Sequence, residues 1–231
     1  MSIGQGQPKY DAFIRNEIKT LGFISNQSSF ANSFSDLTNK AYISHSTLKG
    51  AVKKPKNISI KLECELELLV EQRKRRVFIG VNISPNYAMA SYMIAICDSD
   101  GDSTDLIRKF HFDFAMPKKN EDPKPVYHIQ YGGEQSPLLA RESISCEILK
   151  PKISSPRLVG YPTNLALLLD SVFCEFRSEI TEKIIASDEW RNLIKENEDL
   201  LLKPYFIGVR DFLSSEKHSS DRLLRDFYYG G

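Results

Sequence analysis

Residues 58–68, ISIKLECELEL, carry an apolar side chain at every even-numbered position and a polar or charged one at every odd-numbered position. This alternation has the two-residue period of a β-strand with one face in a core and the other in water. Residues 77–83 repeat the alternation, and Pro85 then stops it because proline has no N–H to donate. The two segments predict neighbouring strands of an antiparallel sheet.

Three more segments have the pattern of strands. Residues 91–97 are apolar on both faces, which predicts a central strand, and residues 106–114 and 126–131 follow as the fourth and fifth strands. Apolar residues at helical spacing precede the strands in residues 9–21 and follow them in residues 165–180. We therefore predict an α+β fold, in which an antiparallel β-meander of about five strands packs against an N-terminal helix and C-terminal helices.

Short local signals predict where the helices begin and end. Gly22 is a plausible C-terminal cap of the first helix. Thr163 is the expected N-cap of the main core helix. Another helix is expected to begin at Ser187 or Asp188 and to end at Pro204.

The length of 231 residues suits a single domain. Its N-terminal part is expected to hold, after the first helix, only a short helix and loops in residues 25–57, where Ser, Asn and Lys are frequent. The predicted parts are a helical and loop segment at 1–57, the β-meander at 58–133, a loop excursion at 134–156 and a helical C-terminal part at 157–231.

The composition excludes several classes of protein. A net charge of +1 gives no reason to expect a bulk binder of polyanions or an acidic tail. No apolar run approaches the roughly 20 residues that span a bilayer, and residues 1–7 lack the pattern of a secretory signal. The four cysteines are too widely spaced for a zinc knuckle or a disulfide framework. We expect a cytoplasmic protein that does not bind a membrane.

The side chains with the most chemical potential lie on the fourth and fifth predicted strands. Alternation puts His111 and Asp113 on one face of the fourth strand, and His128 and Gln130 on one face of the fifth. If these strands pair as a hairpin, facing side chains lie about 5 Å apart. Imidazole and carboxylate together suit a divalent metal, or a histidine base oriented by an aspartate. The alternative, which we favour, is a structural polar network, so we predict no cofactor and keep a divalent metal as the open alternative.

Basic clusters offer a second kind of site. Residues 73–76 read RKRR, and Lys118, Lys119 and Lys152 add further positive charge. Together they form a candidate rim for phosphates or nucleic acid. Aromatic residues are not interleaved with them, so base stacking is not indicated. We favour the other interpretation, in which charged hairpin tips maintain solubility and protect sheet edges.

Cys146 lies in a short motif that points to a third chemistry. Residues 145–150 read SCEILK and are followed by Ser155-Pro156 and an apolar helix. This order resembles ubiquitin-conjugating (E2-like) enzymes, in which a Cys-Leu-x-Ile-Leu run precedes Trp-Ser-Pro and a helix. The resemblance implies that Cys146 carries a thioester as a nucleophilic thiolate. The chain departs from that family by having no tryptophan before Ser155 and by having His128-Ile129-Gln130 in place of His-Pro-Asn.

A broader resemblance covers residues 58–180. Its motifs are FHFDF at 110–114, VYHIQ at 126–130 and PRLVGYP at 156–162. They resemble a group of bacterial proteins that share an aromatic-x-Asp strand, a His-x-x strand and a Pro-Arg approach to a helix, and that tend to be encoded near phage-defence genes. The resemblance implies a bacterial defence-associated protein and implies no reaction. Arg157 is expected to pair with Asp113 and so to hold the helix against the sheet.

Three functions follow from these observations. We favour an accessory, protein-binding subunit of a bacterial defence or mobile-element system, which binds its partner through the exposed sheet face or the C-terminal helices. One alternative is a metal-dependent hydrolase or nuclease that uses His111, Asp113 and His128. The other is an E2-like transferase that uses Cys146. We expect a protein that is not an enzyme, because the sequence shows no complete catalytic constellation.

Overall fold

The computed structural model describes residues 10–27, 32–52, 57–68, 73–84, 89–98, 106–115, 127–131 and 157–214. Two helices precede a β-sheet in these ranges, and a helical region follows it. The elements in chain order are α1 (Tyr10–Ser25), α2 (Asn32–Val52), β1 (Ile58–Leu68), β2 (Arg73–Ile83), β3 (Met89–Asp98), β4 (Leu106–Ala115), β5 (Tyr127–Tyr131), β6 (Arg157–Val159), α3 (Leu165–Glu175), α4 (Glu179–Ala186), α5 (Asp188–Asn197), a π-helical segment (Glu198–Leu202) and α6 (Lys203–Leu213).

The described strands form one six-stranded sheet in sequential order, with every neighbouring pair antiparallel. The predicted α+β fold is confirmed, and β3 lies between β2 and β4, largely buried on both faces as expected of a central strand. The prediction of a helical part from residue 157 is wrong at its beginning, where Arg157–Val159 forms β6. Three residues are too few for a two-residue period to be visible in the sequence.

One face of the sheet, called the inner face below, carries the main core. Ile60, Val81 and Tyr92 are almost fully buried there, in an apolar cluster that includes residues of α1 to α5. Trp190 of α5 is fully buried, with its ring centroid 5.1 Å from that of Phe23. The opposite, outer face holds a smaller buried cluster on β2, β3 and β4. The outer face is therefore not uniformly wet, as strict alternation would suggest.

Helix α2 is longer than the sequence indicates. The prediction of a short helix with loops over residues 25–57 is wrong, because Asn32–Val52 forms a helix of 21 residues. Leu37, Ala41 and Leu48 are fully buried on it. Ser and Asn weaken an isolated helix because their side chains compete for backbone hydrogen bonds. Packing against α1 and β1 supplies the stability that local propensity lacks.

Gly22 does not end α1, so that prediction is also wrong. The helix continues through Gly22 to Ser25. A Cβ atom at residue 22 would lie 3.5 Å from Nε2 of His45, in ordinary contact with α2. The glycine therefore marks a position where α2 packs closely on α1.

Capping side chains decide how the C-terminal helices begin. Asn164, one residue later than the predicted Thr163, caps α3 by accepting a hydrogen bond of 3.1 Å from the backbone N–H of Leu167. The continuous apolar stripe over residues 165–180 is divided between α3 and α4, because Ser178 forms a capping box that begins α4. Ser187 caps α5, which confirms the predicted beginning of that helix.

The π-helical segment explains why Pro204 does not end the helical region as predicted. Proline has no N–H, and in an α-helix its ring clashes with the carbonyl four residues earlier. Glu198–Leu202 shifts the hydrogen-bond spacing to five residues just before Pro204, and the chain then continues as α6 to Leu213. Among the described helices, none combines the length and the apolar character needed to cross a membrane.

Candidate functional site

The polar cluster predicted on the fourth and fifth strands is assembled on the outer face of β4 and β5. The register pairs Asp113 with His128, and His111 with Gln130. The hairpin on which the prediction depended is therefore present. Alternation in the sequence correctly places the two histidines, the aspartate and the glutamine on one side of the sheet.

Asp113 is held by hydrogen bonds from two neighbouring strands. His128 Nε2 lies 3.4 Å from Asp113 Oδ2, and Ser91, the register partner of Asp113 on β3, also donates to the carboxylate. Burial alone would raise the pKa of Asp113, but these hydrogen bonds and the nearby histidines outweigh it and lower the pKa. Asp113 is therefore ionised at neutral pH.

His111 lies two residues earlier on the same face of β4. Burial is the main cause of its lowered pKa, and the charges of Lys109 and His128 act in the same direction, while Asp113 opposes them. The imidazole is therefore neutral at neutral pH. His111 Nε2 and Asp113 Oδ1 are both buried, and neither atom has a hydrogen-bond partner within the described ranges.

The arrangement does not match a nucleophilic triad. A catalytic histidine stands between the nucleophile and the carboxylate, so that it takes the proton of the nucleophile. Here Asp113 stands between Ser91 and His128 in the row across β3, β4 and β5. The side chain of His128 is only 4% exposed. Ser91 therefore has a carboxylate rather than an imidazole base beside it.

The predicted set of three metal ligands is not gathered around one point. Among the described residues, no group of three His, Cys, Asp or Glu side chains is placed to hold a metal ion. His128 directs Nε2 at Asp113 Oδ2, so it acts as a partner of the carboxylate. What the cluster offers is a carboxylate fixed by two donors, beside a neutral imidazole.

The other sequence-predicted residues have different outcomes. Arg157 pairs with Gln130 through the backbone of β6, which places it in the same row of the register as His111. Its predicted ion pair with Asp113 stays a prediction. Cys146 lies outside the described residues.

The basic side chains at the beginning of β2 form ion pairs with acidic side chains. Lys74 pairs with Glu65 at 3.1 Å, and Arg75 pairs with Asp98 at 2.7 Å. Arg76 and Lys40 of α2 both pair with Glu63. These pairs favour the structural interpretation over a phosphate rim. Lys118, Lys119 and Lys152 lie outside the described residues.

Sequence reasoning did not anticipate a buried carboxyl in the core. Glu17 of α1 is fully buried and accepts hydrogen bonds from Tyr92 Oη at 2.6 Å and from the backbone N–H of Leu165 at 3.2 Å. Burial raises its pKa to about 7. The position was visible in the sequence, because Glu17 falls within the apolar stripe of α1 at the spacing of Phe13 and Leu21.

A second feature is a set of exposed large apolar side chains on β5, on and just after β6, and on α6. We call it the sheet-end surface. It comprises Tyr131, Leu158, Tyr161, Phe206 and Ile207, each exposed by more than a third. Tyr131 and Leu158 lie on the inner-face side of neighbouring strands, two residues apart in the register. No protein-family model matches this chain, and neither a curated protein nor a solved structure matches it.

Proposed function

We propose that the protein is a non-catalytic, protein-binding subunit of a bacterial defence system, and that it binds its protein partner through the sheet-end surface. The observation that carries the proposal is the exposure of large apolar side chains on β6 and on α6, and Tyr205 joins α6 to Gly160 at the end of β6. Leu158 is 61% exposed and Phe206 is 54% exposed. Contiguous exposed apolar surface marks interaction sites, and aromatic residues are enriched in them.

Two contacts of Tyr205 join α6, which carries Phe206 and Ile207, to the end of β6 and to β5. Tyr205 of α6 donates a hydrogen bond of 3.1 Å to the carbonyl of Gly160, which directly follows β6. The Tyr205 ring also packs edge-on against Tyr127 of β5, with centroids 5.7 Å apart. Helix α6 is thereby fixed to the edge of the sheet. A surface that is already ordered loses less conformational entropy when a partner binds.

The polar cluster on the outer face favours a structural or ligand-binding role over the hydrolase alternative. His128 is committed to Asp113, and Asp113 separates it from Ser91. The bacterial and defence-related part of the proposal is supported by the sequence motifs at residues 110–114, 126–130 and 156–162. The protein-binding part is supported by the surface itself.

The experiment compares two pairs of substitutions in protein purified from a bacterium that carries the gene natively. Leu158→Ser with Phe206→Ser removes the two most exposed side chains of the sheet-end surface. Tyr42→Ser with Ile43→Ser removes a pair of similar exposure on α2, where the two side chains are 64% and 65% exposed. The four positions are exposed, so neither variant is expected to unfold.

We expect a protein that copurifies in stoichiometric amount with the wild type to be lost from the Leu158/Phe206 variant and retained by the Tyr42/Ile43 variant. Recombination of the purified partner with each variant in isothermal titration calorimetry then measures the loss directly. Retention of the partner by both variants would refute the sheet-end surface as the binding site. Loss from both would place the effect outside that surface.

A further inference from the structure

We propose that β6 pairs edge to edge with β6 of a second copy of this chain, so that two sheets join around a two-fold axis. β6 is the last strand in the order of the sheet, and in the described ranges no strand lies on its far side. A free strand edge presents backbone N–H and C=O groups to any strand that reaches it. The edge of β6 is therefore a template for one more strand.

The hydrogen bonds between β5 and β6 show which backbone groups face the free edge. The N–H of Gly160 donates to the carbonyl of Tyr127 at 2.9 Å, and the register pairs His128 with Val159. Hydrogen-bonded pairs alternate with non-hydrogen-bonded pairs in an antiparallel ladder. His128 and Val159 are therefore a non-hydrogen-bonded pair, and so is the pair two residues along, which contains Arg157. The N–H and C=O groups of Arg157 and Val159 consequently point away from β5, toward the free edge.

The two edges of the sheet differ in their side chains. Native sheets protect an edge strand by covering it or by placing charged side chains along it. β1 has both kinds of protection, because α2 packs against it and a charged side chain occupies every second position from Lys61 to Glu67. β6 has one charged residue, Arg157, beside Leu158, which is 61% exposed. An exposed apolar side chain in the middle of an edge strand favours pairing with another strand.

The outward groups of β6 match those of a second copy. A two-fold axis at Leu158 sets Arg157 of each copy opposite Val159 of the other, and each such pair can exchange both of its N–H···O bonds. The two arginine positions are then not opposite each other, so like charges do not face one another across the strands. The two Leu158 residues form the non-hydrogen-bonded pair between them, where facing side chains lie closest. Both exposed leucines are thereby removed from water.

Pairing through one short strand predicts a weak dimer that depends on concentration. Small interfaces belong to weak or transient complexes. Leu158 is also part of the sheet-end surface, so a second copy and a protein partner would compete for it. The inference does not rest on the proposed function, because purified protein alone is sufficient to test it.

The first test is sedimentation equilibrium of the full chain from low micromolar to millimolar concentration. We expect the wild type to form a dimer at the upper end of this range. Val159→Pro removes an N–H that faces the free edge, a position at which a strand tolerates proline, and should weaken dimerisation at least about 10-fold. Val159→Ala changes the same side chain and keeps the N–H, so this matched control should dimerise as the wild type does.

Amide hydrogen exchange of the wild type gives a reading that does not depend on any variant folding. The N–H of Leu158 faces β5 and should be protected at every concentration. The N–H groups of Arg157 and Val159 should gain protection only at concentrations where the dimer forms.

Four outcomes would each overturn the proposal. The first is a monomer at every concentration, and the second is a dimer that folded Val159→Pro leaves unchanged. The third is protection of the Arg157 and Val159 N–H groups that does not change with concentration. The fourth is protection that appears only when a copurified protein is bound, which would assign the edge to a strand of that protein instead of a second copy.

Discussion

The buried carboxyl of Glu17 leads to a prediction about how stability depends on pH. Its pKa is raised from 4.5 to about 7 in the folded state, which corresponds to roughly 3 kcal/mol because each pKa unit is worth about 1.4 kcal/mol. Below the unfolded value both states keep the proton, and the folded state loses nothing. As pH rises from about 4.5 to about 7, the unfolded chain releases its proton while the folded protein retains it, so stability falls. Above about 7 the loss is complete.

Glu17→Gln should remove this dependence. The amide oxygen can still accept from Tyr92 Oη and from the backbone N–H of Leu165. The amide nitrogen replaces Oε2, which has no hydrogen-bond partner in the described part of the chain. An unsatisfied donor costs about 1–3 kcal/mol, but this cost is the same at every pH. Between about pH 5 and about pH 8, stability should therefore shift by roughly 2.5 kcal/mol in favour of the variant.

Urea denaturation of both proteins at several pH values measures the free energy of unfolding directly. Glu189→Gln removes a charge from an exposed position on α5 and serves as the control for a general effect of net charge. The reasoning is refuted if the difference between wild type and Glu17→Gln stays constant across this range of pH. It is also refuted if Glu189→Gln produces the same change.

Three further substitutions test the packing beside α1, at the sheet edge and on α6. Asn197→Leu removes the amide oxygen that accepts hydrogen bonds from both Asn16 and Asn164. The free energy of unfolding, measured in urea, should therefore fall by roughly 2–5 kcal/mol. A change below about 1 kcal/mol would show that these hydrogen bonds contribute little. Gly160→Ala places a Cβ 3.1 Å from the nearest side-chain atom and 3.2 Å from a backbone carbon of β5, so we expect a lower melting temperature. A Cβ atom at residue 208 of α6 has no described atom within 4 Å. Gly208→Ala should therefore raise the melting temperature, because alanine favours the helix. Equal effects of the two alanine substitutions on the melting temperature would contradict this reasoning.

The sheet was predictable because its information is local. The alternation over residues 58–68 assigns each side chain to a face without reference to the rest of the chain. The same rule placed His111 and Asp113 together, and the hairpin pairing then added His128 and Gln130. Alternation does not show which neighbour receives a hydrogen bond from a side chain. The commitment of His128 to Asp113 depends on atomic positions that no periodicity encodes.

The helices were harder to predict because their stability comes from contacts with distant residues. Helix α2 has weak local propensity and is held by burial of Leu37, Ala41 and Leu48. Gly22 is a helix terminator in local terms, but α1 continues through it beside His45. The β6 strand exists because β5 offers it a partner. In each case the deciding interaction joins segments that are far apart in sequence.

Two unsatisfied carboxylate oxygens in the described ranges, Glu17 Oε2 and Asp113 Oδ1, have different meanings. Glu17 is fully buried, and its other oxygen links α1 to β3 and to the N-terminus of α3, where a carboxylate is favoured by the helix dipole. Its raised pKa shows that the fold tolerates this carboxyl best when it is neutral. Asp113 is partly exposed, and hydrogen bonds from His128 and Ser91 help to lower its pKa, so its charge is maintained. An unsatisfied buried oxygen therefore does not by itself indicate a binding site, because the same feature accompanies a neutral carboxyl in the core and a charged carboxylate held by donors on neighbouring strands.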